Sequence, residues 1–463
     1  MFDTIEIPLW FVWIAGLLAF AGLIDRILVP SVGWYLRRRF NRVINKLNTT
    51  LSLEIPPFKL TRRRIMIDRL AHDPKVINAI MEHMEEEDLP YQVAADRAKH
   101  YAREIVPSFS AFAYFSMGTR LSNWLSNKLY RVRLGFLDEG ALDAIDPHAT
   151  VVFVMNHRSN MDYVLVTYLA ARRSALAYAV GEWARVWPLK QIISSMGAYF
   201  IRRKSRNLLY RRVLARYVQM ATEGGVAQAI FPEGGLTRQG ELLPAKLGLL
   251  SYIVADFDSQ SSRDVVFVPV GLNYDRVLED RVLVASAGVE RANFGQKIWG
   301  ALYFVGNHIV MRLRGRFHRF GYASVSFGHP LSLKAFLTTD TADTPDEMTR
   351  NLGDKIMKEV GRAVPILPVS LICRVLVAHN ATSITRVDLA AKARTELDVL
   401  LANGAYTHIL PKKYDSAIAF GIDHMMLRHI LKKGVGGLEI NPKEAGLVRY
   451  YANAIAHFHI PTV

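Results

Sequence analysis

Residues 150–170 read TVVFVMNHRSNMDYVLVTYLA, and this stretch decides the fold. Its first six residues are β-branched or apolar, which is typical of a buried strand, and its last eight are typical of a helix. The polar segment Asn156–Asp162 lies at the turn between them. Because ligands of α/β proteins gather where strands end, the stretch predicts an α/β domain with a functional site at this turn.

The same alternation continues along the middle of the chain. Helix-like stretches such as NLLYRRVLARYVQMATEGG separate several short apolar runs between Leu134 and about Leu333. Those runs are TVVFVM, ALAYAV, VAQAIF, VVFVPVGL and ASVSF. The pattern predicts an α/β domain over residues 134–333, with a mostly buried sheet flanked by helices. Residues 47–133 and 334–463 are predicted to form a helical N-terminal region and a helical C-terminal region.

Residues 7–24, IPLWFVWIAGLLAFAGLI, carry no charge. A helix of this length matches the ~30 Å hydrocarbon core of a bilayer. Basic residues follow the segment, which by the positive-inside rule places the rest of the chain in the cytoplasm. We predict that residues 1–46 form a single-pass transmembrane anchor with a basic juxtamembrane segment; a buried soluble helix is the alternative. The apolar segment Val106–Tyr130 is interrupted by basic and polar residues, so we expect it to pack in the core, with docking at a membrane interface as the alternative.

The composition limits the class of partner. The chain of 463 residues has 58 Lys and Arg against 42 Asp and Glu, and a sequence pI of about 9.8. This surplus favours anionic lipid or a phosphorylated substrate. Motifs of nucleic-acid binding are absent from the sequence, so no nucleic-acid partner is predicted. The single Cys373 excludes an internal disulfide and suits a reducing compartment.

His157 and Asp162 are the candidate catalytic pair. A carboxylate five residues after a histidine can fix the imidazole tautomer and stabilise the imidazolium formed when the other nitrogen takes a proton. With no obvious serine or cysteine nucleophile nearby, the proton would come from a substrate hydroxyl. The alternative is structural: Ser159 would cap the following helix and Asp162 would complete a capping box. The spacing by itself leaves both interpretations open.

Basic and glycine-rich clusters follow other strands. In GAYFIRRKSRN, residues 197–207, Arg202 and Arg203 suit phosphate recognition, although a solvated basic surface is the alternative. In IFPEGGLTRQGELLPAKLG, residues 230–248, glycines allow close backbone approach while Arg238 and Lys246 add charge, with a plain turn as the alternative. The strand VFVPVGLNYD, residues 266–275, could wall an acyl site at its proline or simply lie in the core.

Together these four blocks resemble the glycerolipid acyltransferase family, most closely its bacterial glycerol-3-phosphate and dihydroxyacetone-phosphate branch. NHRSNMD is similar to the first family block, GAYFIRR to the second, FPEGG to the third and the strand around Pro269 to the fourth. The flanking segments HDPKVINAI, RAKHYAREI and KIMKEVGRAVPILPVSLI also look like those of this branch. The resemblance covers about Arg62 to Ala378.

The resemblance implies a role for each block. His157 would be the general base on the acceptor hydroxyl, oriented by Asp162, and the hydroxyl oxygen would attack the thioester of acyl-CoA or acyl carrier protein directly. The acceptor phosphate would meet cationic side chains, and the remaining residues would shape the site. The phosphate residues are Arg202, Arg203, Arg238 and Lys246, and the shaping residues are Gly197, Glu233, Gly234, Gly235 and Pro269. No metal site and no cofactor are predicted.

One departure from the family pattern bears on the acceptor. Relatives usually carry an arginine where this chain has Leu236, as in EGGRSR. The resemblance implies acylation of the sn-1 hydroxyl of glycerol-3-phosphate at the bacterial inner membrane, with the catalytic domain in the cytoplasm. Lysophosphatidate or another lysolipid is the alternative acceptor, and a non-catalytic membrane scaffold is the alternative from another class. Acyl chain length, the choice of donor and oligomeric state are not predicted.

Overall fold

The computed structural model describes residues 55–459 apart from 112, 171–175, 182–184, 186–188, 203, 204, 206, 256, 261, 262, 288–319 and 380–382. Within these residues no helix is both long and apolar enough to cross a bilayer. The predicted anchor at residues 7–24 lies outside the described part of the chain.

The described chain begins with a run of helices and then enters a sheet. The first helices are α1 (Pro57–Leu60), α2 (Arg63–Ala71), α3 (Pro74–Glu87), α4 (Tyr91–Ile105) and, after a π-helical turn at Ala113–Gly118, α5 (Thr119–Leu129). The strands of the main sheet are β1 (Arg131–Leu137), β2 (Thr150–Met155), β3 (Ala177–Gly181), β4 (Ala198–Ile201), β5 (Gln228–Ile230), β6 (Val265–Tyr274), β7 (Tyr322–Phe327) and β8 (Leu331–Ser332). The helices between them are α6 (Glu139–Asp143), α7 (Met161–Ala170), α8 (Leu189–Ser195), α9 (Leu208–Glu223), α10 (Gly248–Val254) and α11 (Asp280–Ala285).

The C-terminal part is mainly helical. Its helices are α12 (Leu333–Leu337), α13 (Pro345–Ala363), α14 (Pro368–His379), α15 (Arg386–Ala402), α16 (Tyr414–Leu427) and α17 (Ala445–Asn453), with 3₁₀ turns at Pro411–Lys413, Pro442–Glu444 and Ala456–His459. A small antiparallel hairpin, β9 (Leu431–Gly434) with β10 (Gly437–Ile440), interrupts the helices. This hairpin was not predicted, because its short strands are mostly half-buried or exposed and lack an apolar run.

The main sheet is mixed but mostly parallel, with strand order β1-β7-β6-β2-β5-β3-β4 and β8 beside β6. From β6 to β4 every neighbouring pair is parallel, whereas β7 and β8 run antiparallel to β6. Strands β2 and β6 are buried along their whole length, as expected for central strands covered on both faces. The predicted α/β fold with a mostly buried sheet and a helical C-terminal region is confirmed.

One hydrophobic core joins the N-terminal helices to the sheet. Buried side chains of α2, α3 and α4 pack in the same cluster as those of β2, β6, α9, α10 and α13. Helix α9 shows why: its amphipathic sequence is capped at the start by Asn207, whose side chain accepts from the Tyr210 N–H, and one face is fully buried. The N-terminal helices therefore complete the layer that covers one side of the sheet.

The expectation for residues 106–130 is only partly correct. Tyr114 and Tyr130 are buried, but Met117, Leu121 and Trp124 are more than half exposed. This segment therefore carries an apolar surface as well as core residues.

Candidate active site

The predicted pair is in contact at the carboxyl end of β2. His157 Nδ1 lies 2.9 Å from Asp162 Oδ2, and both side chains are almost completely buried. The other ring nitrogen, Nε2, has no hydrogen-bond partner among the described residues. A carboxylate on one imidazole nitrogen with the other left unbonded is the arrangement of an oriented general base.

The capping interpretation is also correct. The Ser159 hydroxyl accepts from the Met161 N–H at 3.1 Å, while Asp162 Oδ2 accepts from the backbone N–H groups of Arg158 at 2.7 Å and Ser159 at 3.0 Å. The start of α7 thus fixes the Asp162 carboxylate in space. The same bonds that satisfy the helix terminus hold this carboxylate against His157, so the two interpretations describe one arrangement.

Tyr274, at the end of β6, completes the environment of Asp162. Its hydroxyl donates to Asp162 Oδ1 at 2.6 Å. Burial and the Asp162 charge raise the pKa of Tyr274 well above its ordinary value, so the phenol stays a donor. Both carboxylate oxygens are therefore occupied, as a buried charge requires. Pro269 on this strand was predicted, but Tyr274 was not. The one sequence signal of Tyr274 is its position as a polar residue at a strand end.

The loop after β5 holds the backbone of His157 from both sides. Glu233 Oε1 accepts from the His157 N–H at 3.0 Å, and the Thr237 N–H donates to the His157 carbonyl at 3.2 Å. The His157 ring stacks on Phe231 with centroids 4.1 Å apart. Since β2 and β5 are parallel neighbours, their carboxyl ends bring the first and third sequence blocks together. Glu233 is thus placed at the pair, as a positioning group.

Gly234 and Lys246 meet in this loop. Gly234 has φ +69°, and a Cβ there would lie 2.7 Å from Lys246 Cδ and 3.3 Å from Lys246 Nζ. Glycine is therefore required both by the left-handed backbone and by the lysine lying across it. Lys246 is an exposed residue whose N–H donates to the Pro232 carbonyl at 2.8 Å, so it belongs to the loop that bonds the His157 backbone. Gly235 follows, half-buried.

Of the other predicted cations, Arg202 lies farther away. Arg202 forms a two-point ion pair with Glu104, with Nε–Oε1 2.8 Å and Nη2–Oε2 2.6 Å, and its guanidinium lies 5.4 Å from the centre of the Tyr101 ring and 5.3 Å from that of the Tyr210 ring. It follows β4, three strands from β2, or about 14 Å at the usual strand spacing. Arg238 is exposed and donates to the Ser286 carbonyl at 3.3 Å. Arg203 lies outside the described residues. Phosphate binding by these arginines stays a prediction.

Gly197 and Pro269 have structural positions that explain their residue types. Gly197 begins the turn into β4 with φ +91° and closely approaches Phe109 and the Leu176 carbonyl. Pro269 pairs with Val154 of β2 at the point where the antiparallel partner of β6 changes from β7 to β8. A proline has no N–H to donate to a neighbouring strand, and at this break in pairing no donor is needed. Neither residue contacts the His157 ring through a described hydrogen bond.

Glu279 is a positioning residue that the sequence analysis missed. Its carboxylate accepts from the Ser159 hydroxyl at 2.8 Å, the Asn160 side-chain amide at 3.0 Å and the Asn160 N–H at 3.3 Å. It therefore fixes the outer half of the His157–Asp162 turn from a different part of the chain. Burial raises the pKa of Glu279. No local motif marks it, because its partners lie about 120 residues earlier.

The C-terminal region supports the same turn. Next to Glu279, Asp280 accepts from Arg428 and from the Tyr451 hydroxyl in a buried cluster. The buried Arg158 guanidinium donates to the Gly240 carbonyl and lies 4.9 Å from the centre of the Tyr450 ring. Helix α17 therefore contacts elements on both sides of the pair. Its distance along the sequence hides this role from a motif search.

A change of Glu233 to glutamine tests the buried carboxyl. Burial raises the pKa of Glu233 to about 8, so the folded protein holds this proton more tightly than the unfolded chain. The contribution of this proton to the free energy of unfolding is fully present below about pH 4.5 and is lost as pH rises through 8. Relative to wild type, Glu233→Gln should gain on the order of 2 kcal/mol of unfolding free energy between pH 6 and 8.

Chemical denaturation at several pH values measures this difference. The exposed Glu241 of the same loop, changed to glutamine, is the matched control. Parallel stability curves for wild type and Glu233→Gln would mean that Glu233 is ionised throughout this range.

Replacing Glu279 by alanine should loosen the turn without unfolding the protein. We expect kcat to fall about tenfold, the equivalent of losing one hydrogen bond to a charged group, with little change in KM. Glu279→Gln, which keeps an acceptor oxygen, should recover part of the rate. The control is Glu139→Ala at the exposed start of α6. Equal rates for the alanine variant and wild type would remove Glu279 from the catalytic arrangement.

Comparisons with known proteins match two regions of the chain. Residues 140–273 match the family model described as Acyltransferase, and residues 309–462 match the model described as Glycerol-3-phosphate acyltransferase C-terminal region. Proteins named glycerol-3-phosphate acyltransferase from Pseudomonas entomophila and Pseudomonas syringae pv. tomato are 29% and 28% identical over 87% of this chain. The chain spans 50% of the length of each of these relatives.

A solved structure was also matched, the 1-acyl-sn-glycerophosphate (LPA) acyltransferase PlsC from Thermotoga maritima. The match covers 53% of this chain and 76% of that one, with 16% identity and a TM-score of 0.31. The two family models cover the strands that carry the His157–Asp162 pair and the C-terminal helices that support it. The chain therefore combines an acyltransferase domain with a glycerol-3-phosphate acyltransferase C-terminal region.

Proposed function

We propose that this protein transfers a fatty acyl group from acyl-CoA or acyl carrier protein to the sn-1 hydroxyl of glycerol-3-phosphate. The observation that carries the proposal is the His157–Asp162 pair, whose Nε2 has no described partner while Nδ1 is held by a buried carboxylate. The names of the matched relatives support glycerol-3-phosphate as the acceptor. The product would be lysophosphatidate.

The proposed reaction needs one base and no covalent enzyme intermediate. His157 Nε2 takes the proton of the acceptor hydroxyl as its oxygen bonds to the thioester carbonyl carbon. The tetrahedral intermediate then breaks its carbon–sulfur bond and expels the thiolate, which receives the proton from the imidazolium. Asp162 stabilises that imidazolium during the cycle. The acyl ester and the free thiol leave, and His157 is again neutral.

The acceptor phosphate requires cations near the pair. We propose Lys246, which lies across Gly234 in the Glu233 loop, as the main phosphate contact. Arg238 follows on the exposed part of the same loop. Arg202 is proposed as a more distant contributor, since its ion pair with Glu104 would have to be shared with the ligand.

A lysolipid is the second candidate acceptor. Leu236 is half-buried in the loop where the family pattern has an arginine, and an apolar side chain there suits an acceptor that already carries an acyl chain. Against this, the matched C-terminal region of the glycerol-3-phosphate branch contributes Tyr450 and Tyr451 to the surroundings of the pair. This second observation favours glycerol-3-phosphate.

The protein is further proposed to act at the bacterial inner membrane. In this proposal residues 7–24 form a single-pass anchor and the α/β domain lies in the cytoplasm. The uncharged segment and the basic residues that follow it support the proposal.

The deciding experiment offers glycerol-3-phosphate and lysophosphatidate separately to the full-length protein in phospholipid vesicles, with one acyl-CoA. We expect kcat/KM to be at least about tenfold higher with glycerol-3-phosphate, a difference of roughly 1.4 kcal/mol in transition-state stabilisation. The reverse ranking would select the lysolipid activity. No acyl transfer to either, with correctly folded protein, would overturn the proposed function. Acyl carrier protein as donor is compared in the same assay.

A further inference from the structure

Helix α5 has its large apolar side chains on the outside. Met117, just before it, and Leu121 and Trp124 within it are 61%, 55% and 56% exposed. Gly118, Ser122 and Ser126 recur at a spacing of four residues and are buried. A surface helix ordinarily shows the opposite distribution, with the apolar stripe inward. The exposed set, Met117, Leu121 and Trp124, is called the α5 face below.

Packing fixes this orientation. Helix α5 lies against α7, the helix that begins at the catalytic motif, and its small residues allow the close approach. A Cβ added to Gly118 would lie 2.9 Å from Met196 Cε and 3.3 Å from the Ala113 carbonyl oxygen, so a larger residue there would require the Met196 side chain to move. Rotating α5 to bury Leu121 and Trp124 would place them where only Ser122 and Ser126 fit. The α5 face therefore stays exposed in the folded protein.

The surroundings of the α5 face are cationic. From Ile105 to Leu137 the sequence contains no Asp or Glu. Arg120 and Lys128 lie on α5, and no described residue forms an ion pair with either. Arg131 and Arg133 follow as exposed residues of β1, the edge strand. Tryptophan, leucine and methionine beside unpaired cations match the chemistry of an anionic lipid interface.

We propose that the α5 face inserts into the headgroup region of an anionic bilayer. Three half-exposed side chains present far less than the ~800 Å² per partner that a stable protein interface buries, which disfavours a second copy of the chain. A lipid interface sets no such minimum, because insertion of a few apolar groups adds to electrostatic attraction. This inference deepens the proposed membrane-bound function and rests on it: contact through α5 brings α7 and the His157–Asp162 turn close to the lipid.

A site-specific probe tests the contact in the full-length protein. Cys373 is completely buried, so a cysteine introduced by Leu121→Cys takes an environment-sensitive NBD label selectively. Val387→Cys, at a 78% exposed apolar position of α15, is the matched control. Both proteins are placed in phosphatidylglycerol-containing vesicles and in pure phosphatidylcholine vesicles. We expect a blue shift and a loss of iodide quenching at position 121 with phosphatidylglycerol, and neither change at position 387.

Neutralising the cations supplies a second measurement. In the labelled Leu121→Cys protein, Arg120→Gln with Lys128→Gln should reduce the blue shift on phosphatidylglycerol. A probe at 121 that remains as accessible to iodide as the probe at 387 would overturn the proposed surface. A blue shift that appears without lipid would also overturn the proposed surface, whether it follows a rise in protein concentration or the addition of acidic carrier protein alone.

Acyl transfer is measured in the same vesicles to keep the two proposals separate. If acyl transfer proceeds while the probe at position 121 stays accessible to iodide, the lipid contact is overturned and the acyltransferase function stands. A protected probe without turnover on any acceptor would support the contact and overturn the function.

Discussion

Replacing His157 by alanine is expected to lower kcat for acyl transfer by about a thousandfold or more, the upper range for loss of a general base. The imidazole Nε2 is the one proton acceptor that the described site holds beside an orienting carboxylate, and Nδ1 is already bonded to Asp162. Turnover of glycerol-3-phosphate with acyl-CoA in vesicles measures the loss. KM should change little, because the base acts on the hydroxyl mainly in the transition state.

The variant should remain folded, which makes the result interpretable. The bonds from the His157 backbone to Glu233 and Thr237 do not involve its side chain and survive the substitution. Removal of the ring from its stack on Phe231 leaves a small cavity, so a modest drop in thermal stability is expected. His148→Ala, at an exposed position before β2, is the control. Substantial turnover by well-folded His157→Ala protein would show that another group takes the proton.

The strands that the sequence reveals are those with unbroken apolar runs. The runs TVVFVM and VVFVPVGL form β2 and β6, because central strands covered on both faces need apolar side chains at every position. Strand β1, RVRLGFL, was not predicted as a strand. It is an edge strand with Arg131 and Arg133 exposed, so it lacks the continuous apolar signal.

Only those site residues that lie close together in the sequence could be predicted as a group. His157 and Asp162 are five residues apart on one turn, and the motif brings them together unaided. Tyr274 and Glu279 lie more than a hundred residues away from the groups they bond, and the sheet order that unites them cannot be read from one sequence. The predicted phosphate residue Arg202 illustrates the converse. A charge run shows a cation but not its partner, here Glu104 of α4.

The supporting groups also explain why the chain has long helical flanks. Glu104 of the N-terminal helices neutralises Arg202, while Arg428 and Tyr451 of the C-terminal region hold the segment that carries Glu279. A buried carboxylate beside a buried histidine costs free energy unless its oxygens are satisfied and its geometry is fixed. The C-terminal region supplies part of that fixation. Truncation of this region is therefore a change to the site itself.

Replacing Asp162 by asparagine is expected to lower kcat by about a hundredfold or more, because the imidazolium loses its carboxylate. The amide can preserve much of the local structure. Its oxygen can occupy the position of Oδ2, which accepts from His157 and the turn, while its NH₂ group faces the Tyr274 hydroxyl, a group able to accept as well as donate. The helix start should therefore persist while the charge disappears. Steady-state kinetics beside a thermal melt separates these two effects.

Tyr274→Phe provides the comparison, since it removes one hydrogen bond to Asp162 and leaves the carboxylate charged. Its rate should fall by about tenfold, the lower end of the usual contribution of a single hydrogen bond to a charged group. If the charge of Asp162 acts on the reaction, the asparagine variant must be the slower of the two although it keeps more of the local bonding. If Asp162 served only to cap α7, the order would be reversed, because the asparagine side chain can still cap the helix, whereas Tyr274→Phe leaves a buried carboxylate oxygen without its donor. The ranking of the two variants therefore decides between a catalytic and a purely structural carboxylate.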